Sequence, residues 1–213
     1  MKRSKSSRRW LDRHINDPYV QRAQRDGWRS RAAFKLLELD QRDRLLRPGL
    51  LVVDLGAAPG GWSQVAARAV GSKGRVVALD LLPMEPLGGV DIVQGDFREE
   101  AVLSRLLAVL DGRQPDLVLS DMAPNVTGMQ AVDQPRAVHL CELAFELANQ
   151  VLKQGGTLVM KAFHGEGFDA MIRDARAQFE RLVTRKPASS RTQSREVYLV
   201  GRGFRRPDSD GDA

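Results

Sequence analysis

Four acidic residues stand at or just past the ends of successive apolar runs: Asp54, Asp80, Asp96 and Asp121. Each run reads as a strand, and strand carboxyl ends converge on the ligand edge of a doubly wound sheet. A carboxylate after the second strand suits the two ribose hydroxyls of a nucleoside. Asp96, followed by Phe97, suits an adenine through an amino-group hydrogen bond and ring contact. Taken singly, each acid is read more simply as a cap or turn residue. Four at equivalent places argue for one shared site.

The loop after the first run narrows the ligand. LLVVDLGAAPGGWSQ at 50–64 reads as strand, glycine-rich turn and helix, with Trp62, Val65, Ala66, Ala69 and Val70 as the helix's apolar side. Its spacing is Asp54-x-Gly56-x-x-x-Gly60-Gly61, whereas a dinucleotide fingerprint reads G-x-G-x-x-G. Pro59 stiffens the loop and offers no N–H to a pyrophosphate. The glycines let the backbone approach a ligand, and the helix N-terminus supplies free N–H groups. This is the loop pattern of S-adenosylmethionine (SAM) methyltransferases, which predicts SAM as co-substrate. Asp121, at the sheet's switch point, then lies where the methionine end and reacting methyl would be. Asp80 alone would serve a nicotinamide dinucleotide equally well; the loop spacing and Pro59 favour SAM.

The methyl acceptor is narrowed by elimination. Met122-Ala123-Pro124-Asn125 lacks the Pro-Pro-aromatic clamp that amine-methylating enzymes use on a flipped base. Carbon-5 base methylation needs a nucleophilic cysteine near the fourth or sixth strand. The single cysteine, Cys141, sits in mid-helix among Leu140, Leu143 and Ala144, where a buried thiol is the simpler reading. A hydroxyl acceptor remains. His14, His139 and His164 show no ligand spacing with Cys, Asp or Glu, so no metal is expected.

The elements that position these residues follow in order. Ser30 is placed to cap a helix running to about Leu46, with Ala33, Leu36, Leu37 and Leu45 toward the sheet and Lys35 inside that apolar neighbourhood. Further strands are expected at 74–80, 90–94, 116–121, 155–163, 181–186 and 196–203, with helices near 98–110, 135–152 and 167–180. The alternation predicts a single Rossmann-like α/β domain over 29–204, a seven-stranded mostly parallel sheet with helices on both faces. Residues 1–28 form a basic arm, disordered in its first part, and 205–213 a polar tail.

Charge points to the partner. Residues 1–31 hold ten Lys and Arg against three Asp, +7, so with a total of +6 the remaining chain is near neutral at −1. Such an arm, interleaved with Trp10, Tyr19, Trp28 and Phe34, suits RNA through phosphate pairing and base stacking. Arg185, Lys186, Arg191 and Arg195 extend such a surface, or form a solvated basic loop. No run is long and apolar enough for a membrane span, and no signal-peptide pattern is present; a cytoplasmic, monomeric protein is expected.

At this point the residues resemble one family closely, the FtsJ/RlmE ribosomal RNA large-subunit 2′-O-methyltransferases. The likeness runs from DPYVQRAQRDGWRSRAAFKLLELD through VVDLGAAPGGWSQVA, VQGDF, DLVLSDMAPNVTG and LVMKAFHGEG to KPASSRTQSREVYLV. The family carries a Lys-Asp-Lys-Glu catalytic set, which falls on Lys35, Asp121, Lys161 and Glu196. The resemblance implies SAM contacts at Gly60, Trp62, Asp80, Asp96 and Asp121. It also implies, as acceptor, the 2′-hydroxyl of a uridine in 23S rRNA of the large ribosomal subunit, methylated late in ribosome maturation.

A ribose 2′-hydroxyl is a poor nucleophile, so its proton must leave as the methyl is attacked in line. Lys161, at the end of the fifth strand, is the expected proton acceptor, with Lys35 and Glu196 orienting ribose and lysine. Like-charge repulsion from Lys35 would favour a neutral Lys161; Asp121 and Glu196 would act in the other direction. The competing readings are a non-catalytic ribosome-assembly factor, a nicotinamide-dependent oxidoreductase and a 2′-O-methyltransferase of transfer RNA or cap structures.

Overall fold

The computed structural model describes residues 17–124 and 127–206. The first part of the basic arm, Asn125 and the tail beyond Arg206 lie outside the described residues, and with them the expected disorder of 1–9. Six α-helices and seven strands are described: α1 (Pro18–Arg25), α2 (Ala32–Asp43), β1 (Leu51–Leu55), α3 (Gly61–Val70), β2 (Arg75–Asp80), β3 (Val90–Gln94), α4 (Glu100–Leu110), β4 (Leu117–Ser120), α5 (Gln130–Val151), β5 (Thr157–Phe163), α6 (Phe168–Gln178), β6 (Phe179–Arg185) and β7 (Glu196–Phe204).

The strand order is β3-β2-β1-β4-β5-β7-β6. β1 through β5 pair in parallel; β7 runs antiparallel between β5 and β6. Alternation along each strand splits the core in two. Val52, Val76, Leu117, Leu119, Val159, Tyr198 and Val200 pack with α2 and α3 on one face. Val53, Leu55, Val77, Leu79, Val118, Leu158, Met160 and Leu199 pack with α4, α5 and α6 on the other. The strand centres read as near-continuous apolar runs because both faces are covered.

Four boundaries differ from the pattern in the sequence, each for a local reason. α2 begins at Ala32 without Ser30 as a cap, because its first N–H groups are taken by main-chain carbonyls: Ala33 donates to Ser30 O and Phe34 to Arg31 O. It stops at Asp43, where Arg44 turns left-handed (φ 47°) and donates to Asp40 O, while Asp40 Oδ1 accepts from Leu46 N at 2.7 Å. α5 starts at Gln130, five residues earlier than the apolar period suggests. The Asp133 carboxylate gathers Thr127 N, Thr127 Oγ1 and Gly128 N, building a start upstream of Pro135, whose missing N–H costs one bond in an exposed turn. β6 starts directly after α6, at Phe179, because that ring is buried beside Phe204 with centroids 5.5 Å apart.

α2 matters because it carries Lys35. It lies close to α3 through Gly61, where an added Cβ would sit 2.3 Å from Ser30 Oγ. Only a residue without a side chain lets the two helices approach this far.

Candidate active site

Period-two alternation and cross-strand register assemble the charged residues. Lys161 on β5 is paired with Tyr198 on β7, and Glu196 lies two residues before Tyr198, so all three project from the same face. Asp121 follows the end of β4, next to β5. α2 covers this face and brings Lys35, buried like Lys161 and Glu196, down onto it.

The four residues form two contacts with a shared centre. Lys35 Nζ lies 2.8 Å from Glu196 Oε1. Lys161 Nζ lies 2.6 Å from Asp121 Oδ1 and donates to the Asp121 main-chain oxygen at 2.9 Å. Tyr198, absent from the expected set, donates its hydroxyl to the same Asp121 Oδ1 at 2.6 Å. The Lys35 ammonium stands 5.7 Å from the Tyr198 ring centroid, and the Trp62 ring packs 5.5 Å away on Tyr198. A signal for Tyr198 existed: on a strand, the residue two places after Glu196 must share its face.

Burial and neighbouring charges set the protonation states. Burial lowers Lys35 below its ordinary value, and Lys161 adds to this, against Asp121 and Glu196. Burial would raise Asp121, but Lys161 and Lys35, with the hydrogen bonds from Lys161 and Tyr198, outweigh it and hold the carboxyl below its usual range. Glu196 is likewise raised by burial and brought lower overall, chiefly by Lys35. Burial and the adjacent Asp121 and Glu196 charges push the Tyr198 phenol well up, so it is a neutral donor. Asp121 and Glu196 are therefore ionised at neutral pH.

Asp121 is also the junction with a cavity of about 510 Å³ at the carboxyl ends of β1, β2, β3 and β4. Asp80, Asp96, Phe97 and Asp121 line it together with Gly56, Met122 and Leu140. An added Cβ at Gly56 would stand 2.5 Å from Met122 Cγ, so the turn after β1 is pressed against the turn after β4. Asp80 braces the loop: its Oδ2 accepts from Ala58 N and its Oδ1 from Leu82 N, both at 2.8 Å. Asp96 is paired with Arg98, whose hydrogen bonds lower its carboxyl below the usual range.

Gly60 and Trp62 are not in the cavity wall. Gly60 is the N-cap of α3, its N–H bonded to Ala57 O. The Trp62 indole is buried in the core and donates to Ala32 O at 2.8 Å. What Trp62 can offer a ligand is its main-chain N–H in the first turn of α3. Arg29, which no pattern singled out, clamps the neighbouring loops: its guanidinium donates to Pro59 O, Glu85 O and Pro86 O at 3.3, 2.7 and 2.6 Å.

Of the basic residues at the end of β6 and beyond it, Arg185 is used internally, held by both Asp43 oxygens at 2.8 Å. Lys186, Arg191 and Arg195 are exposed. Arg31 ties this loop to the N-terminal segment, donating to Asp17 Oδ2 at 2.6 Å and to Ser189 O. Cys141 is buried, its thiol pushed up to about 12 by desolvation and bonded to Lys161 O. Among the described residues no helix is long and apolar enough to cross a membrane.

A doubly wound sheet closed by an antiparallel seventh strand, with its cavity at the switch point, defines the class of Rossmann-like methyltransferases. Residues 28–204 match the family described as FtsJ-like methyltransferase, and the chain belongs to that family. It is 60% identical over 205 residues to the ribosomal RNA large subunit methyltransferase E of Stutzerimonas stutzeri, covering 96% of this chain and 100% of the relative. The protein of that name from Alkalilimnicola ehrlichii is 62% identical over 203 residues, 95% of this chain and 97% of its own. A crystal structure described as a ribosomal RNA methyltransferase from Plasmodium falciparum superposes with a TM-score of 0.75 at 30% identity, covering 83% of this chain and 98% of that one. The fold class and family expected from the sequence thus agree with the architecture and with these relatives.

Proposed function

We propose that this protein transfers a methyl group from SAM to the 2′-hydroxyl of a uridine ribose in the 23S rRNA of the large ribosomal subunit. The observation that carries the reading is Lys161, held 2.6 Å from Asp121 where the acid-lined cavity meets the Lys35–Glu196 pair. The names of the relatives support the choice of large-subunit RNA.

The cavity suits SAM in size and chemistry. Small-molecule sites span about 300–1,000 Å³, and this one combines apolar walls with carboxylates. Asp80 would take the ribose hydroxyls, Asp96 and Phe97 the adenine, and Asp121 the charged methionine end; Trp62 would contribute its N–H, and Gly60 close backbone approach. Bound there, SAM supplies an electrophilic methyl carried on a sulfonium.

The chain's own residues supply the rest. Lys161, as the free amine, would accept the 2′-hydroxyl proton as the oxygen forms its bond to the methyl and the methyl–sulfur bond breaks with its electron pair left on sulfur, and the new ammonium would rest on Asp121. Asp121 stays ionised and does not compete for that proton. The Lys35 ammonium, fixed by Glu196, holds the ribose oxygen and stabilises the charge that develops on it. The exposed Lys186, Arg191 and Arg195 lie near Glu196 in sequence and suit phosphates on the acceptor strand.

The test is transfer of labelled methyl from SAM to large subunits lacking the modification, with naked RNA and transfer RNA in parallel. Label on a large-subunit 2′-hydroxyl is expected, with Lys161→Ala at least about 100-fold slower, as for loss of a general base. Label only on transfer RNA would overturn the substrate. A Lys161→Ala enzyme at near wild-type rate would overturn the assignment of the base.

A further inference from the structure

Lys35, Asp121, Lys161 and Glu196 have roles in the proposed methyl transfer, and Tyr198 has none. Yet Tyr198 is fully buried, and its hydroxyl reaches the same carboxylate oxygen as Lys161, each at 2.6 Å. Register sets Tyr198 and Lys161 side by side on one face as direct cross-strand partners, and the phenol reaches across β5 to the residue that follows β4.

Two donors on one oxygen divide its charge. A neutral phenol donating to Asp121 Oδ1 stabilises the carboxylate without supplying a positive charge. It thereby lessens the carboxylate's pull on the Lys161 proton. We propose that Tyr198 is a positioning residue for the proton acceptor, tuning through Asp121 the pH range in which Lys161 is available as a free amine. The proposal rests on Lys161 being the base.

The surroundings leave Tyr198 as the adjustable partner. Lys35 and Arg31 face this cluster from α2 and the turn before it, Glu196 from β7 and Asp54 from β1, while the Cys141 thiol meets the Lys161 main-chain oxygen from the other side of the sheet. Among these, Lys35 and Glu196 are engaged with each other, Asp54 with Ser63 and Arg31 with Asp17. Of the described side chains, only Lys161 and Tyr198 hydrogen-bond the Asp121 carboxylate.

The experiment is the pH profile of kcat/KM for the RNA substrate at saturating SAM, carried from pH 6 up to the plateau at high pH, for wild type, Tyr198→Phe and Lys161→Ala. Tyr198→Phe keeps the ring that packs on Trp62 and Lys35. Its acid limb is expected to move up by about half to one pH unit, making it about 3- to 10-fold slower at low pH and converging on wild type at high pH. A second probe is 3-fluorotyrosine in a Tyr19→Phe background, which is site-specific because the chain has two tyrosines. The more acidic phenol is a stronger donor and should move the limb the other way, and it preserves the side chain should Tyr198→Phe not fold. Profiles that superimpose, or a loss equal at every pH, overturn the role of Tyr198 while an inactive Lys161→Ala leaves the base in place. An active Lys161→Ala overturns both.

Discussion

Replacing Asp54 by Asn should remove a pH-dependent instability from the centre of the sheet. Asp54 is fully buried at the end of β1, with Oδ2 2.6 Å from Ser63 Oγ and no hydrogen-bond partner on Oδ1 among the described residues. Burial, with Asp121 and Asp80 adding repulsion, pushes its carboxyl up from 3.8 to about 7 despite the Ser63 bonds. Between those values the folded chain holds a proton that the unfolded chain has released. Stability therefore falls as pH rises through this window and levels off above it. At 1.36 kcal/mol per unit the full penalty is about 4 kcal/mol, a large share of the 5–15 kcal/mol typical of a domain.

Asn has the same shape, can still accept from Ser63 and does not ionise. Urea unfolding of wild type and Asp54→Asn at half-unit steps from pH 4 to 8.5 reads the difference directly. The variant should gain progressively on wild type from pH 4 to 7, with a constant gap above. The depressed carboxyls of Asp121, Glu196 and Asp43 work in the opposite direction: their stabilisation is present above their unfolded values and is lost as pH falls through the folded ones. That window lies lower and is common to both proteins, so it cancels. Parallel stability curves would refute the reasoning and mean that Asp54 is ionised when folded.

The Lys35–Glu196 pair is buried on both sides, so Lys35→Met alone should cost about 3 kcal/mol by leaving the carboxylate unpaired. Lys35→Met/Glu196→Leu should recover much of that loss in a double-mutant cycle; an additive result would contradict the pairing. Arg29→Ala removes three guanidinium bonds that hold the loops at 59 and 85–86 together. Calorimetric SAM affinity should fall about tenfold, or ~1.4 kcal/mol, with the urea midpoint nearly unchanged; unchanged affinity would show that the clamp does not shape the site.

The sequence by itself determined much of this protein. The alternation of apolar runs and helical periods laid out seven strands and the sheet's mixed direction, because strand and helix periods depend on local side-chain geometry. Acids at strand ends located the cavity, since carboxyl ends converge in any such sheet; Asp80, Asp96 and Asp121 all line it, whereas Asp54, the fourth of the expected set, is buried on Ser63 outside its wall. Local rules also misplaced boundaries: the end of α2 was decided by Arg44 turning left-handed, the start of α5 by the Asp133 carboxylate.

The tertiary structure alone decided how the charges pair. Lys35 and Glu196 are far apart in the chain, as are Lys161 and Asp121, and either lysine could have met either acid until β5–β7 register and the packing of α2 on α3 brought them together. The same packing turned the Trp62 indole into the core, engaged Arg185 with Asp43, and set Tyr198 on the oxygen that Lys161 uses. These are contacts between residues distant in sequence. Periodicity can say which face a side chain leaves from; what waits for it there is settled only by packing.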